Sequence, residues 1–134
     1  MKKKTLFVFA LAFCILFFEA GSFGAEKKTI VKSIKFKIEK DHEEVLIALN
    51  NFSIPEVQSL EGDKPRIVID INNVASWKGH YKIPINGNFI KQIRTYLHRD
   101  TGKLRIVLDL KYSDDYIIDQ TYYRKTNIYS ITVR

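Results

Sequence analysis

Two stretches decide how this chain reads: "PRIVIDINN" at residues 65–73 and "LRIVLDLKY" at residues 104–112. Arg66 and Arg105 lie 39 positions apart, and each opens an Arg-φ-Val-φ-Asp-φ run in which φ is Ile or Leu. A period of two is the mark of a half-buried strand, with its apolar residues on one face. In the first run Ile67, Ile69 and Ile71 therefore oppose Arg66, Val68 and Asp70. Positions i and i+4 of a strand share a face but stand about 13 Å apart. Neither arginine can pair with the aspartate of its own run, so each must find a neighbouring strand or a ligand.

The same period runs through the chain from Ile30 onward. "IVKSIKFKI" (30–38) sets Ile34, Phe36 and Ile38 against Lys35 and Lys37, and "EVLIALN" (44–50) sets Val45, Ile47 and Leu49 against Glu44, Leu46 and Ala48. "FIKQIRTYL", "DYIIDQTYY" and "NIYSITV" behave alike, and no window supports a long amphipathic helix. "EKDHEE" (39–44), "EGDKP" (61–65) and "HRDTGK" (98–103) break the runs at hairpin distances, and Gly102 is free to adopt a left-handed conformation. Seven or eight short, mostly antiparallel strands result, which predicts an all-β, two-sheet sandwich. Its halves look pseudo-symmetric. "VKSIKF" (31–36) aligns with "IKQIRT" (90–95) and "EVLIALN" with "RIVLDLK" (105–111), at offsets of 59 and 61. The slip of two falls in a hairpin loop, where insertions are tolerated. "RIVIDI" then matches "NIYSITV", so the two opening stretches occupy non-equivalent strands of two similar halves.

Residues 1–24 read as a removable signal peptide rather than as part of the domain at 25–134. "MKKK" is a positive start, Leu6 to Phe18 is an apolar run of thirteen, and small residues follow. Thirteen residues rise about 20 Å as a helix, short of the roughly 30 Å hydrocarbon core, which argues against a stable membrane anchor. Cleavage after Gly24 suits the small residues Ser22 and Gly24 better than cleavage after Ala25. Removing the segment takes away three lysines and one glutamate, so the charge falls from +7 to +5. It also removes Cys14, the only cysteine, leaving a domain that must be stable without disulfides. A lysine-only start and no disulfides favour export to a bacterial periplasm.

Taken in order and spacing, "PRIVIDINN", "IKQIR" and "LRIVLDL", with "VKSIKFKI" and "VLIALNNF" before them, resemble the AMIN domain of bacterial cell envelopes. The resemblance covers roughly residues 30–134, and here the domain would stand alone. It implies two symmetry-related β-sheets and a targeting module that binds peptidoglycan, through glycan strands or stem peptides. Members of that family precede peptidoglycan amidases or sit in the periplasmic part of type IV pilus secretins. The alternative it implies is a protein-interaction adaptor for a secretin or amidase complex. Nucleic acid is a poor partner, because the basic residues are spread out and export removes the chain from it.

Nothing in the sequence points to an enzyme, a metal or a cofactor. The histidines are His42, His80 and His98, without HExxH or a cysteine ligand, and they read as solvated loop residues. No G-x-S-x-G or glycine-rich phosphate loop is present. Binding is the better expectation, with Arg66, Asp70, Arg105 and Asp109 as candidates and Gln92 and Arg94 of "IKQIR" beside them. On an outward sheet face they would form either cross-strand ion pairs that hold register or forks that capture carboxylates and amides. Seven tyrosines and Trp77 add flat apolar faces with polar edges, suited to sugars and interfaces. Trp77, in a loop beside Gly79, reads either as a plug over the sandwich end or as a ligand platform.

Overall fold

The computed structural model describes residues 27–112 and 115–134. The signal peptide read over residues 1–24, Cys14 with it, lies outside the described residues. The chain forms ten strands: β1 (Thr29–Ile38), β2 (Glu43–Leu49), β3 (Glu56–Leu60), β4 (Arg66–Ile71), β5 (Val74–Ser76), β6 (Lys82–Pro84), β7 (Ile90–His98), β8 (Lys103–Leu110), β9 (Ile118–Tyr123) and β10 (Ile128–Val133). They make two five-stranded sheets, in the orders β5-β1-β2-β10-β9 and β3-β4-β8-β7-β6. All pairings are antiparallel except β1 with β5. The two strands beyond the seven or eight expected are three-residue pieces, β5 and β6, in the irregular stretch before β7. Pro84 is accommodated because β6 is a sheet edge.

The pseudo-symmetry is realised by exchange. Read from opposite ends, β1-β2-β10-β9 and β7-β8-β4-β3 are the same arrangement, while the short edge strands differ, β5 pairing parallel with β1 and β6 antiparallel with β7. Hairpin β1–β2 corresponds to β7–β8, but each half sends its next long strand to the other sheet: β4 pairs with β8, and β10 with β2. Thus "PRIVIDI" and "LRIVLDL", non-equivalent in the repeat, become neighbours in space.

Both hairpins carry a bulge at the same place. The register of β1 against β2 shifts between Val31 and Ser33, and that of β7 against β8 between Ile90 and Gln92. One extra residue reverses the phase of a strand. It lets Ile90 and Ile93, three positions apart, both face the core at 1% and 0% exposure. Val31 and Ile34 gain the same relation in β1. The expected alternation of Ile34, Phe36 and Ile38 holds in register, since they oppose Ile47, Val45 and Glu43. Burial does not follow, because Phe36 and Ile38 are 39% and 48% exposed. The reason is position: β5 covers β1 only at Thr29 and Ile30, so the far half of β1 is an open edge.

Between the sheets lie Val45, Ile47, Leu49, Tyr129, Ile131 and Val133 from the first and Ile67, Ile69, Ile93, Leu104, Ile106 and Leu108 from the second. Each such side chain contributes about 1.5–3 kcal/mol on burial. Burial also pushes the Tyr129 phenol up to about 12. Gly102 closes the β7–β8 turn at φ 70, as its position there requires, while Asn73, Asn86 and Asn127 take positive φ at other turns.

One polar side chain crosses the core boundary. Glu43, 1% exposed at the start of β2, accepts hydrogen bonds from Phe89 N at Oε1 and Ile90 N at Oε2, both 2.8 Å. It ties the first sheet to the entry of β7 in the second. Gly87 is small for this reason: a Cβ there would lie 2.2 Å from Glu43 Oε1. Glu43→Gln replaces one acceptor with a donor and strands a buried N–H, at a cost of roughly 1–3 kcal/mol. Urea unfolding is expected to show that loss, a loss for Gly87→Ala as well, and less than their sum for the double variant.

Candidate ligand-binding face

The Arg-φ-Val-φ-Asp run is self-complementary when read antiparallel. The β4–β8 register places Arg66 opposite Asp109, Val68 opposite Val107 and Asp70 opposite Arg105. Directly opposed residues share a face, so all six side chains stand on the outer side of the second sheet. Extending the register across β3, β7 and β6 gives three rows. The first runs Leu60, Arg66, Asp109, Gln92 and Pro84; the second Gln58, Val68, Val107, Arg94 and Lys82; the third Glu56, Asp70, Arg105 and Tyr96. The two valines are nearly covered, at 7% and 8% exposure, and floor the face between the polar rows.

One of the two Arg–Asp matches is made. Arg105 donates from Nε to Asp70 Oδ1 at 2.9 Å and from Nη2 to Oδ2 at 2.8 Å, a bidentate fork. The other is replaced. Asp109 accepts from Arg94 Nε at 2.7 Å and Nη2 at 2.9 Å, and from Gln92 Nε2 at 2.6 Å. Arg66 donates instead from Nη1 to the Lys64 carbonyl oxygen at 3.0 Å, and no carboxylate pairs with it among the described residues. The hydrogen bond from Arg105 holds the Asp70 carboxyl below its ordinary value. For Asp109 burial pushes upward, but the hydrogen bonds from Arg94 and Gln92, together with the nearby charges of Arg94 and Arg66, outweigh it and the carboxyl also ends low. Hydrogen bonding to these aspartates raises Arg94 and Arg105 from the ordinary arginine value.

Around Arg66 opens a groove of about 970 Å³ between the β3–β4 turn and the start of β7. Lys64, Lys91 and Lys111 line it with Arg66 and Arg94, against Asp63 and Asp109. Lys91 is the extra residue of the β7 bulge, between Ile90 and Gln92. On the other side of Arg94 lies a hollow of about 200 Å³ walled by Tyr81, Tyr96, His98 and Arg105. Tyr81 and Tyr96 are 63% and 55% exposed, and the Tyr96 ring meets the His98 ring edge-on at 4.4 Å.

The six polar candidates Arg66, Asp70, Gln92, Arg94, Arg105 and Asp109 thus share one face. Trp77 does not join them. Its Nε1 donates to Thr95 Oγ1 at 3.0 Å, Thr95 Oγ1 donates to the His80 carbonyl at 2.9 Å, and the ring packs against the core. A Cβ on Gly79 would come within 1.8 Å of that ring. Lys64 and Lys91 are not among the sequence candidates, and Tyr81 and Tyr96 enter there only with the other tyrosines. The three-residue spacing of Ile90 and Ile93 is the signal that could have revealed the bulge and Lys91. Among the described residues no group of three or more His, Cys, Asp or Glu could hold a metal ion.

The family model of the AMIN domain matches residues 33–128, most of the chain. The chain belongs to the AMIN domain family. No curated protein is similar enough to be counted as a relative. AMIN domains are non-catalytic, peptidoglycan-associated targeting modules of periplasmic or exported proteins, associated generally with secretin or amidase complexes.

Because Asp70 and Asp109 titrate below the ordinary 3.8 in the folded chain, the unfolded chain takes up protons first as acid is added. Both pairs stabilise fully above about pH 4 and lose their contribution as the pH falls towards the depressed folded values. Urea midpoints are therefore expected to drop below about pH 4. Asp70→Asn or Asp109→Asn is expected to flatten that limb and to cost about 1 kcal/mol near neutrality.

Proposed function

We propose that this AMIN domain is a non-catalytic module of the bacterial periplasm, exported by the signal segment at residues 1–24, that binds peptidoglycan through the outer face of its second sheet. The observation that carries the reading is Arg66. It stands on a strand paired on both sides, half-buried, in a cationic groove, with a backbone carbonyl in place of a carboxylate partner among the described residues. An arginine fork so held is ready to accept a carboxylate in bidentate fashion, which a lysine cannot do. Peptidoglycan offers such groups along its whole length, so each repeat of the polymer presents the groove with a site.

A second reading is the adaptor for a secretin or amidase complex, and the open edge of β1 favours it. From Lys32 to Ile38 that strand has β2 on one side and no strand on the other among the described residues, with Phe36 and Ile38 exposed. Such an edge can receive an added strand.

Cosedimentation with purified sacculi separates the readings. The protein is expected to pellet, and Arg66→Ala to weaken pelleting roughly tenfold, with Arg66→Lys restoring little. Lys27→Ala, away from the groove, is expected to change it less than about twofold. Absence of pelleting by the unaltered protein overturns the peptidoglycan reading and leaves the adaptor. Pelleting that moderate salt abolishes, indifferent to Arg66, reduces it to general polycation binding.

A further inference from the structure

Resting on the peptidoglycan reading, we infer that the outer face of the second sheet is divided: the Arg66 groove takes a free carboxylate of the stem peptide, and the Tyr81–Tyr96 hollow takes the sugar chain. The two hollows share one wall. Arg94 lines both, and its fork is closed on Asp109, so the pair forms a ridge rather than a receptor.

The chemistry on the two sides of that ridge differs. In the groove Asp109 is already matched by Arg94, so among the described lining residues Arg66, Lys64, Lys91 and Lys111 stand against one remaining carboxylate, Asp63. The fold itself shows what an arginine on this face holds, since Arg94 and Arg105 each close on a carboxylate. By register Arg66 would hold Asp109, but that group is engaged by Arg94 and Gln92. A carboxylate from another molecule completes the pattern. In the hollow the charged group is spent, because Arg105 is closed on Asp70. Two exposed phenol rings, the His98 ring set edge-on against Tyr96 and a covered valine, Val107, remain, a surface for the apolar face of a sugar ring with hydroxyls at its edge. Arg66 and Tyr96 lie in the first and third rows, about 13 Å apart along the strands. A polymer whose peptides branch from its sugars can reach both at once.

Soluble fragments test the division by titration calorimetry against the purified protein. The probes are a disaccharide peptide, glycan strands stripped of peptide, the free stem peptide, and that peptide with its carboxyls amidated. Arg66→Gln is expected to weaken the free peptide roughly tenfold or more and the stripped glycan less than about twofold. Tyr96→Ala and Tyr81→Ala are expected to do the reverse, and the amidated peptide to bind the unaltered protein as poorly as the free peptide binds Arg66→Gln. Unchanged β-sheet circular dichroism establishes that each variant is folded. Equal losses on both probes from either substitution, equal binding of free and amidated peptide, or pelleting with sacculi without binding to any fragment overturns the division. Failure of the unaltered protein to pellet with sacculi strikes the underlying reading instead.

Discussion

The antiparallel register of β4 against β8 is the constraint on which the rest of this molecule turns. It joins the two halves of the chain at the centre of the second sheet and sets both of its faces at once. Inward, Ile67 meets Leu108, Ile69 meets Ile106 and Ile71 meets Leu104, all completely buried. Outward, the same pairing lays arginine against aspartate at both ends of a valine pair. A slip of one residue would turn every isoleucine to solvent and every charge into the core, so the register has no near competitor.

Symmetry in that pairing is broken by the next strand. Asp109 faces Arg66 across one side and Gln92 across the other, with Arg94 on the diagonal. The bulge at Lys91 sets the phase of β7 so that Gln92 and Arg94 come up on the outer face and both close on Asp109. At the other end Asp70 has no such rival donor on β3, whose opposed residue is Glu56, and it keeps Arg105. A sequence with two matched Arg–Asp runs thus folds into a face with two closed forks and, among the described residues, one guanidinium, that of Arg66, on which no carboxylate closes.

Stability without disulfides comes from the way the halves interlock. Each half contributes its hairpin to one sheet and its next long strand to the other, so neither sheet can form from one half alone. Glu43 adds a polar tie across the layers, holding the entry of β7 to the start of β2. Because β7 carries Gln92, Arg94 and Tyr96, that tie also positions the outer face.

Periodicity of two, turn chemistry and the apolar phase of each run were enough to settle an all-β sandwich, its hairpins, its internal repeat and the outward placement of Arg66, Asp70, Arg105 and Asp109. These are local properties, carried by side-chain alternation and by residues such as Gly102 that suit particular backbone angles. The resemblance of "PRIVIDINN", "IKQIR" and "LRIVLDL" to AMIN domains was legible for the same reason, since a strand grammar in fixed order is a linear signal. Which strand lies beside which is not linear. The exchange of β4 and β10 between sheets, the choice of Asp109 for Arg94 over Arg66, the burial of Trp77 against the core and the exposure of Phe36 and Ile38 all depend on neighbours far along the chain. Sequence alone thus determined what each strand could present on its two faces, while tertiary structure decided which arginine stayed open, because a carboxylate closes on whichever guanidinium the neighbouring strands bring within reach.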